Sequence, residues 1–189
     1  MSDPGLHLPA NFNFYPAIIM KNLRFTVAIF AAVALLGAHR SIAGTLEDAP
    51  FRIVAPGAGW QLAAATAQPM GNDVFLVATL SNTNTLLKSV VIKTVLAKAS
   101  ETSLDELCAG MNDSLANPAV KKIAEANTTF LGYKARKFTY LVTQGGQTTY
   151  NVAMVFVAGG TGWTIAGVGR SEQKDEIEKT LGFYQKKTG

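Results

Sequence analysis

Acid–base and nucleophilic chemistry at neutral pH rests first on imidazoles and thiols. This chain holds two histidines, His7 and His39, and one cysteine, Cys108. Both histidines precede Ala43, after which a signal peptide is expected to be removed. Residues 44–189 then carry no imidazole, so Ser-His-Asp and Cys-His catalysis lack a proton acceptor of suitable pKa. Zinc sites built on His or several Cys fail for the same reason. Cys108 falls on the apolar stripe of a helical segment, which predicts a buried, inert thiol. Carboxylates are the remaining acid–base groups. Glu101, Asp105, Glu106 and Asp113 cluster in one segment, and a hydrolase built on two of them would need a pair meeting in a cleft with one pKa strongly raised. Glu106 is accounted for by helix capping, and Asp105 and Asp113 are expected to face solvent. Asn112-Asp-Ser114 lacks the dense oxygen ligands and fixed glycine of a calcium loop. Gly159-Gly-Thr-Gly162 has the composition of a phosphate loop, but strand signals lie on both sides and no Gly-Lys-Ser/Thr follows, so a hairpin turn is predicted. No cofactor and no metal are implied.

The N-terminal segment points to a compartment. Met20-Lys-Asn-Leu-Arg24 is cationic, and the run from Phe25 to Gly37 is uncharged. That run has the length of a signal-peptide core and is short for a bilayer span. Ser41-Ile42-Ala43 places small residues at the positions a signal peptidase reads; an uncleaved anchor is the alternative. Residues 1–19, with Asp3, no Lys or Arg, and an aromatic Asn-Phe-Asn-Phe-Tyr15 stretch, fit no part of a signal, so translation is expected to start at Met20. The expected division is therefore an upstream extension over 1–19, a signal peptide over 20–43 and one domain over 44–189. No cysteine lies at the cleavage site, so lipid attachment there is excluded, and a periplasmic or secreted product is expected.

The formal charge of +4 falls to +2 in residues 44–189, where 14 basic residues face 12 acidic ones. The lysines are scattered, and no electrostatic footprint for nucleic acid results. One cysteine cannot form an intramolecular disulfide, so stability must come from packing in a chain long enough for one core.

The elements follow from periodicity. Phe51–Val54 reads as a strand closed by Pro56-Gly-Ala-Gly59, with Trp60-Gln-Leu62 as the returning strand. Asp73–Ser81 and Ser89–Leu96 read as strands around the polar turn Ser81–Thr85. Ser103-Leu-Asp-Glu106 has the form of a capping box, and Leu104, Leu107, Cys108, Met111 and Leu115 follow at helical spacing. Val120–Leu131 fits a short helix or an edge strand. Tyr133–Val142, Thr148–Val157 and Trp163–Val168, joined at Gln144-Gly-Gly-Gln147 and Ala158–Gly162, form a three-strand meander. A last helix is expected from a Ser171 cap through Ile177, Leu181 and Tyr184 to Lys186 and Lys187, with acids first and bases last. Strands, helix, strands, helix give an α+β fold, a mainly antiparallel sheet flanked by two helices.

Several of these features together resemble the PsbP-like and Mog1-like superfamily. They are Phe51-Arg-Ile-Val-Ala-Pro-Gly-Ala-Gly-Trp60, the capped helix, Leu131-Gly-Tyr-Lys-Ala135 leading a strand, the apolar meander, and Leu181-Gly-Phe183 near the end. The likeness runs from about Phe51 to Tyr184. It implies an α/β/α sandwich and a largely non-enzymatic group of photosystem assembly factors, a Ran-binding protein and bacterial envelope proteins. No catalytic residue carries over.

The function expected is an exported, non-enzymatic binding or accessory protein of the bacterial envelope, with a protein or small ligand as partner. An immunity or inhibitor protein against an exported toxin is the alternative within that class, and a carboxylate-dependent hydrolase the alternative outside it. Trp60 and Trp163 each follow a glycine-rich turn; each fits core packing or a rim aromatic that binds a partner. Tyr133, Lys134 and Arg136 form a candidate binding edge, with the two cations on one face of a strand; a solvated edge is the plainer reading. Tyr140 and Tyr150 read as sheet residues. Asn112-Asp-Ser and Asn127-Thr-Thr match glycosylation acceptors, which mean little in a bacterial host.

Overall fold

The computed structural model describes residues 46–54, 57–63, 65–70, 73–85, 87–95 and 102–188. The upstream extension, the signal segment, its cleavage site and Glu101 lie outside the described residues. Among the described residues ten strands run β1 Phe51–Ile53, β2 Trp60–Leu62, β3 Thr66–Met70, β4 Asp73–Asn82, β5 Lys88–Val95, β6 Val120–Phe130, β7 Tyr133–Gln144, β8 Gln147–Ala158, β9 Thr161–Arg170 and β10 Tyr184–Lys186. The α-helices among the described residues are α1, Leu104–Leu115, and α2, Lys174–Lys179, the latter flanked by 3₁₀ turns at Ser171–Gln173 and Thr180–Phe183.

The main sheet is antiparallel, in the order β2-β4-β5-β9-β8-β7-β6, with β3 also paired to β4. The predicted hairpin β4–β5 and the meander β7–β8–β9 are present, and the meander's turns show why. Gly145 and Gly146, and Gly159 and Gly160, all have positive φ. Each pair closes a two-residue turn between matched partners, Gln144 with Gln147 and Ala158 with Thr161, the geometry that suits twisted hairpins. The helix-or-edge-strand ambiguity at 120–131 resolves as the long edge strand β6, bulged between Lys122 and Ala124.

Alternation along the strands divides the core. On one face Leu107, Cys108, Met111 and Leu115 of α1 pack over Phe138, Tyr140, Val142, Ala153, Val155 and Ala166. The capping box that starts α1 is complete: Glu106 N donates to Ser103 Oγ, and Ser103 N donates to the Glu106 carboxylate. Thr102 N donates to Gly160 O, which ties the helix start to the β8–β9 turn. Gly162 leaves room for the helix, since a Cβ there would lie 2.8 Å from a Leu107 methyl. The other face carries Val91, Val152, Phe156, Trp163 and Ile165 beneath Ile177, Leu181, Phe51 and Tyr184. Helix, sheet and helix form the α/β/α layering.

Two expectations are corrected. Phe51–Ile53 does not turn back onto Trp60–Leu62: β1 pairs with β10 in a separate two-stranded ribbon, and β2 pairs with β4. The last helix is also shorter than its pattern suggests. Lys186 lies in β10, Lys187 follows it, and Ser171 makes no capping bond. The reason is the burial of Tyr184, 3 % exposed, whose hydroxyl lies 2.7 Å from Ser89 Oγ and whose ring meets Phe51 edge-on at 5.4 Å. That pull, together with pairing to β1, draws the chain out of the helix after Phe183.

Candidate functional site

Trp60 begins β2 at one edge of the sheet. Gly59, at φ +88°, presents a carbonyl that accepts from both the backbone N–H and the hydroxyl of Thr83. This clamps the Trp60 strand to the β4–β5 turn. The indole is half-buried and meets Phe183 edge-on, at 4.9 Å between ring centroids. Val54 N donates to Phe183 O at 2.7 Å. Leu62, two residues beyond Trp60 on the same strand face, is 58 % exposed, and Val54 is 38 % exposed. Leu62 pairs with Leu80, so this group sits on the α2 side of the sheet. Trp60, Phe183, Val54 and Leu62 thus gather a partly solvated apolar patch at the β2 edge. The sequence signals Trp60, and strand alternation puts Leu62 on the same face; Phe183 and Val54 join them only through tertiary structure.

Trp163 is not a rim aromatic. It lies in β9 at the centre of the sheet, is 1 % exposed, and packs edge-on against Phe51 at 5.3 Å with Lys93 Nζ 5.7 Å from its ring centroid. The β1–β10 ribbon covers it, which a local reading of its glycine turn does not reveal. The two tryptophans therefore do not share a site.

The Tyr133–Arg136 stretch is not an edge, because β6 pairs outside it. Tyr133 is half-buried, stacked on Phe156 at 5.8 Å, with Lys186 Nζ 5.3 Å from its ring centroid. Lys134 is exposed on the α1 side. Arg136 shares that side, but its guanidinium is engaged by Glu125, which Lys122 also holds. Of the two cations expected on this face, Arg136 is neutralised by a partner within the chain and Lys134 is open to solvent.

The titratable groups argue in the same direction. The Glu106 carboxyl is held below its usual range by the hydrogen bonds from Ser103, the backbone bond first. Glu125 is held down by the Lys122 ammonium and, after a counteracting burial effect, by Arg136. Both shifts run opposite to the one a general acid needs. Burial raises the Cys108 thiol, in keeping with the inert role expected of it. Burial likewise raises the Tyr150 hydroxyl, assisted by its hydrogen bond to Glu178, whose carboxylate also receives Lys137. No group of three or more His, Cys, Asp or Glu side chains among the described residues could hold a metal ion. No helix among them is long and apolar enough to cross a membrane.

No family model matches the chain, and no curated protein matches it. Solved structures do. The chain is similar to cyanobacterial PsbP (CyanoP) from Synechocystis sp. PCC 6803, at 13 % identity and a TM-score of 0.50, over 81 % of this chain and 99 % of that one. This likeness shows a PsbP-like α+β fold. Weaker matches are a protein of unknown function from Pseudomonas aeruginosa, at 8 % identity and TM-score 0.44 over 62 % of this chain and 91 % of that one, and LpqN of Mycobacterium tuberculosis, described as involved in cell envelope biogenesis, at 12 % identity and TM-score 0.38 over 78 % and 95 %.

Proposed function

We propose that this chain is an exported, non-enzymatic accessory protein of the bacterial envelope that docks a partner protein through the Trp60, Leu62, Val54 and Phe183 patch. The observation that carries the reading is the patch itself: a clamped indole, half in solvent, beside the exposed aliphatic side chains of Leu62 and Val54. Aromatic anchors ringed by smaller apolar groups are where binding energy concentrates in protein interfaces. The direction of the carboxylate shifts supports a non-catalytic role, and the PsbP-like fold is compatible with it. Removal of residues 1–43, a periplasmic or secreted location and kinship with the Mog1-like branch belong to the same proposal.

The test is affinity capture by the exported protein from envelope extract of its host, compared with Leu62→Asp and Trp60→Ala. Leu62→Asp should lose the captured partner while its melting temperature stays within about 2 °C, because the side chain is mostly solvated already. Trp60→Ala should lose the same partner. Identical capture by wild type and both variants would overturn the patch assignment. A toxin as the captured protein would give the immunity reading. Intact mass of the exported product should correspond to a chain beginning at Gly44; a product retaining His39 would remove the case against imidazole chemistry.

A further inference from the structure

At the opposite edge of the sheet from Trp60, β6 runs eleven residues and pairs only with β7 among the described residues. Its first part is guarded by Lys121, Lys122 and the bulge, with Ile123 51 % exposed. After the bulge, Ala124–Phe130 keeps unbroken register with Tyr133–Thr139. Side chains 124 and 126–129 are exposed, small and uncharged. The one charge in this stretch, Glu125, is already neutralised by Lys122 and Arg136. The far edge is protected differently: β2 has three residues and β3 contains Pro69. Short strands and proline are how sheets block further pairing; residues 124–130 have neither.

Charge decides what could pair there. Lys121 and Lys122 stand at the start of β6, and Lys134 and Lys186 stand at its finish, Lys134 opposite Thr129 and Lys186 beside Gly132 and Tyr133. A second copy adding antiparallel about a two-fold axis would set the start of one β6 against the finish of the other. Cations would then meet cations at both ends, which disfavours self-pairing.

We infer that the β6 edge accepts an extended segment of a partner protein, uncharged and β-forming in its middle and acidic at both ends, by strand addition along Ala124–Phe130. Backbone hydrogen bonds would supply affinity. The terminal acids would fix position, spaced about eight residues apart, since Lys121 and Thr129 are roughly 26 Å apart at about 3.3 Å per residue. This surface is separate from the Trp60 patch and does not depend on it.

The experiment uses an eleven-residue acetylated and amidated peptide with two Glu at each end and a Thr/Val middle, and its counterpart with Lys at the ends. Binding is followed by isothermal titration, and the amides of 124–130 by hydrogen exchange. The acidic-ended peptide should protect those amides and bind about tenfold more tightly than the basic-ended one, the scale of several exposed ion pairs. The gap should shrink as salt rises. The double variant Lys121→Glu/Lys134→Glu, altering only exposed side chains, should reverse the preference, and Trp60→Ala should leave it unchanged. Equal binding of both peptides, no binding at millimolar concentration, or protection elsewhere than β6 would overturn the inference. So would a dimer in sedimentation that protects 124–130 without peptide, which would assign the edge to a second copy.

Discussion

Gly167 of β9 faces α2, and the distances there make a single methyl group costly. A Cβ built on Gly167 would lie 2.4 Å from Thr180 Oγ1, 2.6 Å from the Ile177 carbonyl oxygen and 3.1 Å from an Ile177 methyl. Thr180 and Ile177 are fully buried, and the Thr180 hydroxyl donates to that same carbonyl at 2.7 Å. The first obstacle is a short side chain and the second is backbone, so α2 must lift off the sheet. Gly167→Ala gains about 0.5–1 kcal/mol from reduced backbone freedom in the unfolded chain. The overpacking cost lies at the upper end of the usual range, about 3 kcal/mol, so the variant is destabilised by roughly 2–3 kcal/mol. For a domain of this size that lowers Tm by about 6–10 °C. Urea unfolding should give an earlier midpoint with unchanged slope. Gly182→Ala, where nothing lies within 4 Å of the added atom, should be neutral. Adding Thr180→Ala to Gly167→Ala should cost less than the sum of the single changes, since the nearest of the three obstacles disappears. A Gly167→Ala protein melting within 2 °C of wild type would refute the close approach of α2 to β9.

Two tyrosines give opposite expectations. Tyr140 Oη is buried with no hydrogen-bond partner among the described residues, so Tyr140→Phe should stabilise the fold by about 1 kcal/mol, read by urea denaturation. Tyr184 Oη meets Ser89, so Tyr184→Phe should cost about 1 kcal/mol at neutral pH. Burial raises the Tyr184 pKa to about 12. The stability tied to its neutral form is complete below the unfolded pKa of about 10 and is lost as pH rises through about 12; wild type should therefore lose more stability than Tyr184→Phe across that window. At the acid end, Glu125 has a folded pKa below the ordinary carboxylate range. Its contribution is present above the unfolded pKa of about 4.3 and disappears as pH falls through the folded value. The advantage of wild type over Glu125→Gln in urea midpoint should be full above about pH 4.3 and shrink as the solution is made more acid, and an advantage that does not shrink with falling pH would contradict the ion-pair assignment.

Local signals reach as far as local contacts do. Ser103 and Glu106 are three residues apart and cap their helix as their types dictate. Gly145-Gly146 and Gly159-Gly160 set their hairpins because positive φ is a property of the turn itself. Val120–Leu131 stays ambiguous in sequence because its exposed polar residues suit either state; pairing with β7 decides it. Pairing between β1 and β10 spans more than 130 positions, and no periodicity encodes it. That same pairing ends the last helix early and hides Trp163 while leaving Trp60 at an edge. Both indoles follow glycine turns, so only the tertiary order of strands separates a core residue from a binding candidate. For Arg136, face was legible from alternation, but the Glu125 that occupies it belongs to the strand whose state was undecided.

The ribbon of β1 and β10 has a consequence for how the molecule comes to exist. Arg52 Nη2 reaches Gln185 Oε1 at 2.9 Å, Lys187 N donates to Pro50 O, and Lys187 Nζ donates to Glu47 O. The earliest and latest described stretches are thereby stitched together over the sheet, and such long-range closure comes late in folding. While the chain is being synthesised, its leading end has no partner until the trailing end emerges. A polypeptide built this way closes its ribbon only once both ends are present.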